Sequence, residues 1–256
     1  MTGTSVAGFE ALLRAGARLQ VVVAHPDDET FGCGSLLLHA AAAGVETAVC
    51  CATRGEAGEP AAGVTLPAGG LGELREQELH EAGALLGVGE VTLLGFRDSG
   101  MDGEAEASTL VGAPYEAVRE AITAAVDAFG PDVVVTLDGS DGHRDHARVR
   151  DAALEVAAAR GVPAYLHCLA RSTMERWAEF MAAGDSGSPY LSLGPLGTPD
   201  EQLTDRLDTT ALLDARWRAI RAHRSQTSPF EGLPEALANE FLCTEHLVRA
   251  AVPTAG

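Results

Sequence analysis

Short, continuously apolar runs alternate along the chain with longer stretches whose apolar positions recur near helical spacing. LQVVVA (residues 19–24) reads as a buried strand, being short, β-branched and apolar throughout. GSLLLHAAAAG (34–44) follows as a helix stopped by Gly44. ETAVCCATRG (46–55) is a second strand, GELREQELHEAGALLGV (72–88) a helix, and EVTLLGF (90–96) a third strand. PYEAVREAITAAVDAFG (114–130) predicts a helix that starts at Pro114 and stops at Gly130. PDVVVTL (131–137) is a fourth strand, RDHARVRDAALEVAAARG (144–161) a fourth helix, and PAYLHCLA (163–170) a fifth strand. From 172 to about 208 the pattern dissolves into Gly, Pro, Ser and acidic residues, which predicts loop with one or two short strands. A late helix is expected over 209–226.

Strand–helix alternation with continuously apolar strands implies an α/β fold, a mostly parallel sheet covered on both faces. No internal repeat or linker divides the chain. One domain over 1–256 is therefore expected, with a core at about 20–170 and a C-terminal part, 171–256, completing the rim of any site. In such sheets ligands bind beyond the carboxyl ends of the strands, where strand order reverses. That rule gathers four polar loops: HPDDE after the first strand, TRGEAGE after the second, RDSGMDG after the third and DGSDGHRDH after the fourth. The opposite strand ends are plain by comparison.

Composition narrows the partners. The 256 residues are 46% apolar, enough for a sizeable core, and carry a formal charge of −19. Such a surface repels phosphate backbones and anionic lipid, so neither nucleic acid nor a membrane surface is an expected partner. Five cysteines, an odd number without a CxxC, suit free thiols in a reducing compartment. The first twenty residues lack a cationic, then apolar, leader pattern, and no apolar run approaches the roughly 18 residues of a membrane span. The protein is expected to be cytoplasmic; homo-oligomerisation is left open.

The chemistry concentrates at the end of the first strand. His25 and Asp28 lie three residues apart, with Pro26 fixing the turn between them. Imidazole plus carboxylate suits zinc, and an open zinc site has three protein ligands and one water. GHRDH, at the end of the fourth strand, offers His143 and His146 as candidates for the third ligand. The strand carrying them should lie beside the first. Asp27 is then free to take a proton from an activated water as general base. The histidine that is not a ligand can steady a tetrahedral oxyanion, with Asp145 holding its ring in one tautomer and favouring its charged form. Together these parts describe amide or ester hydrolysis.

At these residues the sequence resembles the LmbE-like (PIG-L) superfamily of zinc-dependent N-deacetylases, through AHPDDE (24–29) and HRDH (143–146). ATRGEAG, RxxEL (75–79), LLGV (85–88) and HRSQ (223–226) match in the same order. The resemblance implies a Rossmann-like three-layer fold, one Zn2+ per chain, and hydrolysis of an N-acetyl group on an N-acetylglucosamine-type conjugate by attack of a metal-bound water. Carried over by position, His25, Asp28 and His146 are the metal ligands, Asp27 the base, and His143 the oxyanion donor with Asp145 behind it. FRDSGM (96–101) resembles the mycothiol-pathway branch, which implies that Arg75 and Asp98 face the sugar. Two positions depart from that branch: Asp141 stands where it has tyrosine, and Arg144 where proline is usual. The departures bear on the substrate rather than the chemistry. A mycothiol-type thiol-conjugate amidase and an antibiotic amino-sugar deacetylase are the nearest alternatives. A non-catalytic sugar- or nucleotide-binding α/β module is the alternative of another class. FGCGS lacks the third glycine of a dinucleotide fingerprint.

Overall fold

A computed structural model describes residues 8–184 and 189–251. Its centre is one seven-stranded sheet of order β3-β2-β1-β4-β5-β7-β6. The parallel strands are β1 (Arg18–Val23), β2 (Glu46–Cys51), β3 (Glu90–Leu93), β4 (Val133–Leu137) and β5 (Ala164–Cys168). β6 (Asp205–Asp208) and β7 (Thr244–Arg249) add on antiparallel beyond β5. The strands of the alternating region thus stand where the apolar runs place them. The fold is α/β with a mostly parallel sheet, as expected.

The strand pleat divides the apolar run of β1 between two cores. Val21 and Val23 pack into one buried cluster with Leu36, Leu37, Leu79 and Leu86. Val22 and Ala24 pack into the other with Val118, Ile122, Val149 and Val156. The first cluster is covered by α2 (Gly34–Ala42) and α3 (Gly70–Leu86), the second by α4 (Tyr115–Phe129) and α5 (Arg144–Arg160). Gly130, at φ 66°, ends α4 in the left-handed conformation that glycine adopts without a Cβ penalty. A single-turn helix, α1 (Asp28–Phe31), follows β1.

The C-terminal third is more ordered than its sequence pattern indicates. The stretch read as loop contains α6 (Arg171–Ala183) as well as the expected short strand β6. Only Thr173 and Met174 of α6 are buried, too narrow an apolar stripe to read as a helix. The late helix is α7 (Leu213–Ile220), shorter than expected, so HRSQ lies in the loop after it. α8 (Glu235–Leu242) and β7 were not anticipated. β7 buries Glu245 completely, a charge that breaks the apolar signature of a strand.

β1 pairs with β2 on one side and β4 on the other. The chain runs outward from β1 to β3 and then crosses to β4, so strand order reverses between β1 and β4. The crevice at their carboxyl ends holds His25 to Asp28 and Asp141 to His146.

Candidate active site

Asp28 begins α1, and its carboxylate folds back onto the strand end. Oδ2 accepts the backbone N–H groups of Ala24 (3.2 Å) and His25 (2.8 Å). It also lies 3.5 Å from His25 Nδ1, while Oδ1 lies 3.2 Å from His146 Nε2. His146 Nε2 and His25 Nδ1 are 3.3 Å apart. Tetrahedral zinc with bonds of about 2.0–2.1 Å requires ligand atoms about 3.3–3.5 Å apart. The two imidazole nitrogens stand at that spacing, and the Asp28 carboxylate reaches each of them with a different oxygen.

The electrostatics fit a cation as well. Burial lowers the affinity of His25 for a proton, but Asp145, Asp28 and Asp98 outweigh it and hold its pKa well above the ordinary range. Burial also opposes charge on His146, yet Asp28 and Asp141 push it up to about 10. Protons on these rings supply positive charge that a bound dication would supply instead. One ligand atom each from His25, His143 and His146 lies within 4.8 Å of the others, as do atoms of His25, Asp98 and Asp145.

Each of these two imidazoles is held by a carboxylate at one nitrogen, which fixes the nitrogen it would present to an ion. His25 Nε2 lies 3.2 Å from Asp145 Oδ2 and 3.5 Å from Asp98 Oδ1, leaving Nδ1 for the ion. His146 Nδ1 lies 2.6 Å from Asp141 Oδ2, leaving Nε2. Asp141 Oδ1 accepts the His143 backbone N–H at 3.0 Å. The acid at the departed tyrosine position is thus tied to both His146 and His143. Arg144, at the departed proline position, donates to the carbonyls of Ser99, Gly100, Asp102 and Gly103 and ties down the loop after β3.

His143 lies beside both rings, 4.6 Å from His25 and 4.8 Å from His146 between ring centroids. The structure places the Asp145 carboxylate on His25 and on the Ser99 N–H (3.0 Å), not on His143. What His143 receives is the Asp145 backbone N–H, which donates to its Nδ1 at 3.2 Å. A neutral ring accepting at Nδ1 must carry its proton on Nε2, so the tautomer is fixed by main chain. Burial, with the charges of His25 and His146, lowers the His143 pKa to about 4. The environment therefore favours the neutral ring, contrary to the charged form expected from sequence.

Asp27 is the only non-glycine at positive φ (120°) among the described residues. It stands at the N-cap of α1 without capping that helix through its side chain. Its Oδ2 instead meets Arg75 NH2 at 2.9 Å. Burial raises its pKa to about 6, with Arg75 pulling the other way.

Arg75 and Asp98, expected to face a sugar, are buried and make most of their polar contacts within the protein, though Arg75 Nε has no partner. Arg75 is 4% exposed and donates to the Gly55 carbonyl (2.8 Å) and the Pro26 carbonyl (2.5 Å), clamping two strand-end loops. Asp98 is 8% exposed and accepts the N–H groups of Gly100 (2.8 Å) and Ala57 (3.2 Å) besides facing His25. Sequence reasoning gave no role to Ser99, Glu29 or His223, and left that of Asp141 open. An apolar rim also went unnoticed: Leu193 packs over Gly142, and Tyr190 lies against Met101. Tyr190 and Leu193 sit in the stretch where periodicity is lost.

Fold and site together define a Rossmann-like α/β protein with a candidate metal centre at its strand-order switch. Residues 20–157 match the GlcNAc-PI de-N-acetylase (PIG-L) family. The chain is 34% identical over 270 residues to a 1D-myo-inositol 2-acetamido-2-deoxy-alpha-D-glucopyranoside deacetylase of Actinosynnema mirum, covering 95% of each. The chain belongs to the PIG-L family. Among solved structures it resembles the A40926 pseudoaglycone deacetylase, with a TM-score of 0.65 at 20% identity, covering 94% of this chain and 99% of that one. It also resembles the 4-carboxy-2-hydroxymuconate hydratase of Pseudomonas putida, with a TM-score of 0.60 at 17% identity, covering 94% and 98%. The fold alone thus carries more than one chemistry, and the reaction has to be argued from the site.

Proposed function

We propose that the protein is a zinc-dependent N-deacetylase acting on an N-acetylglucosamine-type conjugate. The observation that carries this reading is the close approach of His25, Asp28 and His146, with Asp27 next to Asp28 in the chain and His143 beside both rings. His25, Asp28 and His146 would hold the ion. Zinc there would lower the pKa of a bound water from about 15.7 towards roughly 7 and polarise the acetyl oxygen.

The remaining work falls to the chain's own side chains. Asp27 takes a proton as water oxygen adds to the acetyl carbonyl carbon. Its raised pKa brings it nearer the pH at which a base both holds and releases a proton. His143 Nε2–H is free to donate to the developing oxyanion, since Nδ1 is occupied by the Asp145 N–H. The C–N bond then breaks, the proton passes to the departing nitrogen, and acetate and a free amine result. Arg75 acts here through Asp27, and Asp98, Asp145 and Asp141 through the two ligand histidines.

The curated relative's deacetylase activity favours this reading over a thiol-conjugate amidase. A binding module would have no use for a base beside a complete ligand set. Among the described residues no helix is long and apolar enough to cross a membrane. All five cysteines are free, which supports a reducing, cytoplasmic setting. The test is acetate release by zinc-loaded protein from N-acetylglucosamine, its inositol glycoside and glycosides with apolar aglycones. Zinc binding without acetate release from any of them would overturn the assignment.

A further inference from the structure

HRSQ and the glutamate of AHPDDE match the family but have no part in the chemistry above. In the structure they meet beneath Asp27. Glu29 is fully buried, and its Oε2 accepts the Asp27 backbone N–H at 2.9 Å. Its Oε1 accepts Thr30 Oγ1 (2.5 Å) and faces His223 Nε2 (2.7 Å). His223 is 1% exposed, and its Nδ1 has no hydrogen-bond partner. The polar contacts of its ring are therefore confined to Glu29 and to Thr30 Oγ1, at 3.3 Å. The segment carrying His223 is itself anchored: Ser225 donates its N–H (2.9 Å) and Oγ (2.5 Å) to Glu78 of α3. One turn earlier, α3 carries Arg75, which grips Asp27 Oδ2.

The residue at the centre of these contacts carries the non-glycine φ of 120°. A non-glycine residue adopts such a backbone only where its surroundings over-determine it. In an ordinary capping conformation an aspartate at this position would turn its carboxylate onto the N–H groups of its own helix. Here that bond is absent and the carboxylate goes to Arg75.

We infer that Glu29 and His223 are a positioning pair for Asp27: His223 fixes Glu29, and Glu29 pins the Asp27 N–H so that its carboxylate turns away from α1. The pair touches neither substrate nor metal and acts only through Asp27. The inference rests on the reading of Asp27 as base. Near-attack geometry is steep enough that a shift of about 1 Å costs about 10²-fold in rate. Loss of the pin should therefore lower kcat by about 10- to 100-fold while KM and zinc content stay nearly constant.

The experiment is a double-mutant cycle on kcat, with zinc content measured in every protein. Glu29→Ala is made in the wild type and in Asp27→Asn. Positioning through Asp27 predicts the large loss in the first background and less than about a threefold further loss in the second. Equal losses in both would overturn the inference. Glu29→Gln should restore most of the loss, since its amide oxygen can accept the Asp27 N–H and its NH2 can meet His223 in the other tautomer. Should the alanine variant not fold, Glu29→Asp withdraws the acceptor by one methylene and enters the same cycle. A crystal structure of the folded variant gives a readout independent of turnover. Asp27 should leave positive φ, and an unmoved Asp27 would overturn the pair's role. If even the wild type releases no acetate, the proposed reaction fails, while this structural readout still decides the pair.

Discussion

Removing the carboxylate of Asp141 should weaken zinc binding, and the isosteric replacement should do more harm than the truncation. Asp141 Oδ2 lies 2.6 Å from His146 Nδ1, and Oδ1 accepts the His143 N–H at 3.0 Å. Asp141→Ala leaves both donors to water or to nothing. The other two ligands keep their own supports: His25 keeps Asp145 and Asp98, and Asp28 keeps two backbone N–H groups. Losing one such support costs about 10- to 100-fold in metal affinity, or about 1.4–2.7 kcal/mol. In Asp141→Asn one end of the side chain is an NH2. Aimed at His146, it forces that ring to accept at Nδ1 and protonate Nε2, the nitrogen the ion needs. Flipped, it sets a donor against the His143 N–H. Either orientation adds an unmet polar contact; because the site is half-buried, it is worth about 1 kcal/mol, or a further factor of about 5. The expected order of zinc affinity is wild type, then alanine, then asparagine. Competition against a zinc chelator at pH 7.5, with circular dichroism to confirm folding, measures it. Wild-type affinity in the asparagine variant would show that the Asp141–His146 contact does not set the ligand nitrogen.

Three further outcomes are open to direct measurement. Asp27→Asn should keep one zinc per chain yet lose about 10²–10⁴-fold in kcat; near-normal turnover would mean another group takes the proton. Asp145→Ala should lower zinc content because its carboxylate supports His25, whereas His143→Ala should keep zinc and lose about 10²–10³ in kcat; the reverse pattern would exchange their roles. Glu245→Gln should cost about 3–5 kcal/mol near neutral pH, since it leaves the buried Arg216 uncompensated. Burial raises the Glu245 pKa, but Arg216 and His167 outweigh it and hold it below the ordinary glutamate value. A lowered pKa stabilises the fold above the ordinary value and ceases to do so as pH falls through the folded one. The wild-type advantage over the glutamine variant should therefore shrink below about pH 4.5, and denaturation at stepped pH would show a constant gap if this pair were not the cause.

The fold was legible where burial is simple. Strands β1, β2, β4 and β5 lie inside the sheet with both faces covered, so they read as unbroken apolar runs and leave no ambiguity of period. Legibility failed where burial is polar or narrow. β7 places Glu245 in the core against Arg216 and His167, an arrangement that only the distant α7 and β5 make affordable. α6 buries a single turn, so its sequence carries little helical periodicity. Both failures lie beyond β5, where the parallel pattern ends and contacts between remote segments decide the structure.

Within the site, residue types and their convergence were readable, but the wiring behind them was not. His25, Asp28, His143 and His146 meet because strand order brings β1 beside β4, which the alternation of elements implies. Which carboxylate backs which imidazole depends on ångström-scale loop geometry that no spacing encodes. The resemblance pairs Asp145 with His143. The start of α5 instead turns the Asp145 side chain to His25 and leaves His143 the Asp145 backbone N–H. Asp141 shows the converse. At a position where the resembled branch has a phenol, this chain has a carboxylate, and that carboxylate holds the proposed ligand His146. A phenol there could not accept from the His143 N–H and a ring N–H with two separate oxygens. The substitution therefore changes what supports His146. Differences in substrate should accordingly be sought at the rim of Met101, Tyr190 and Leu193, where side chains border the site without belonging to its hydrogen-bond network.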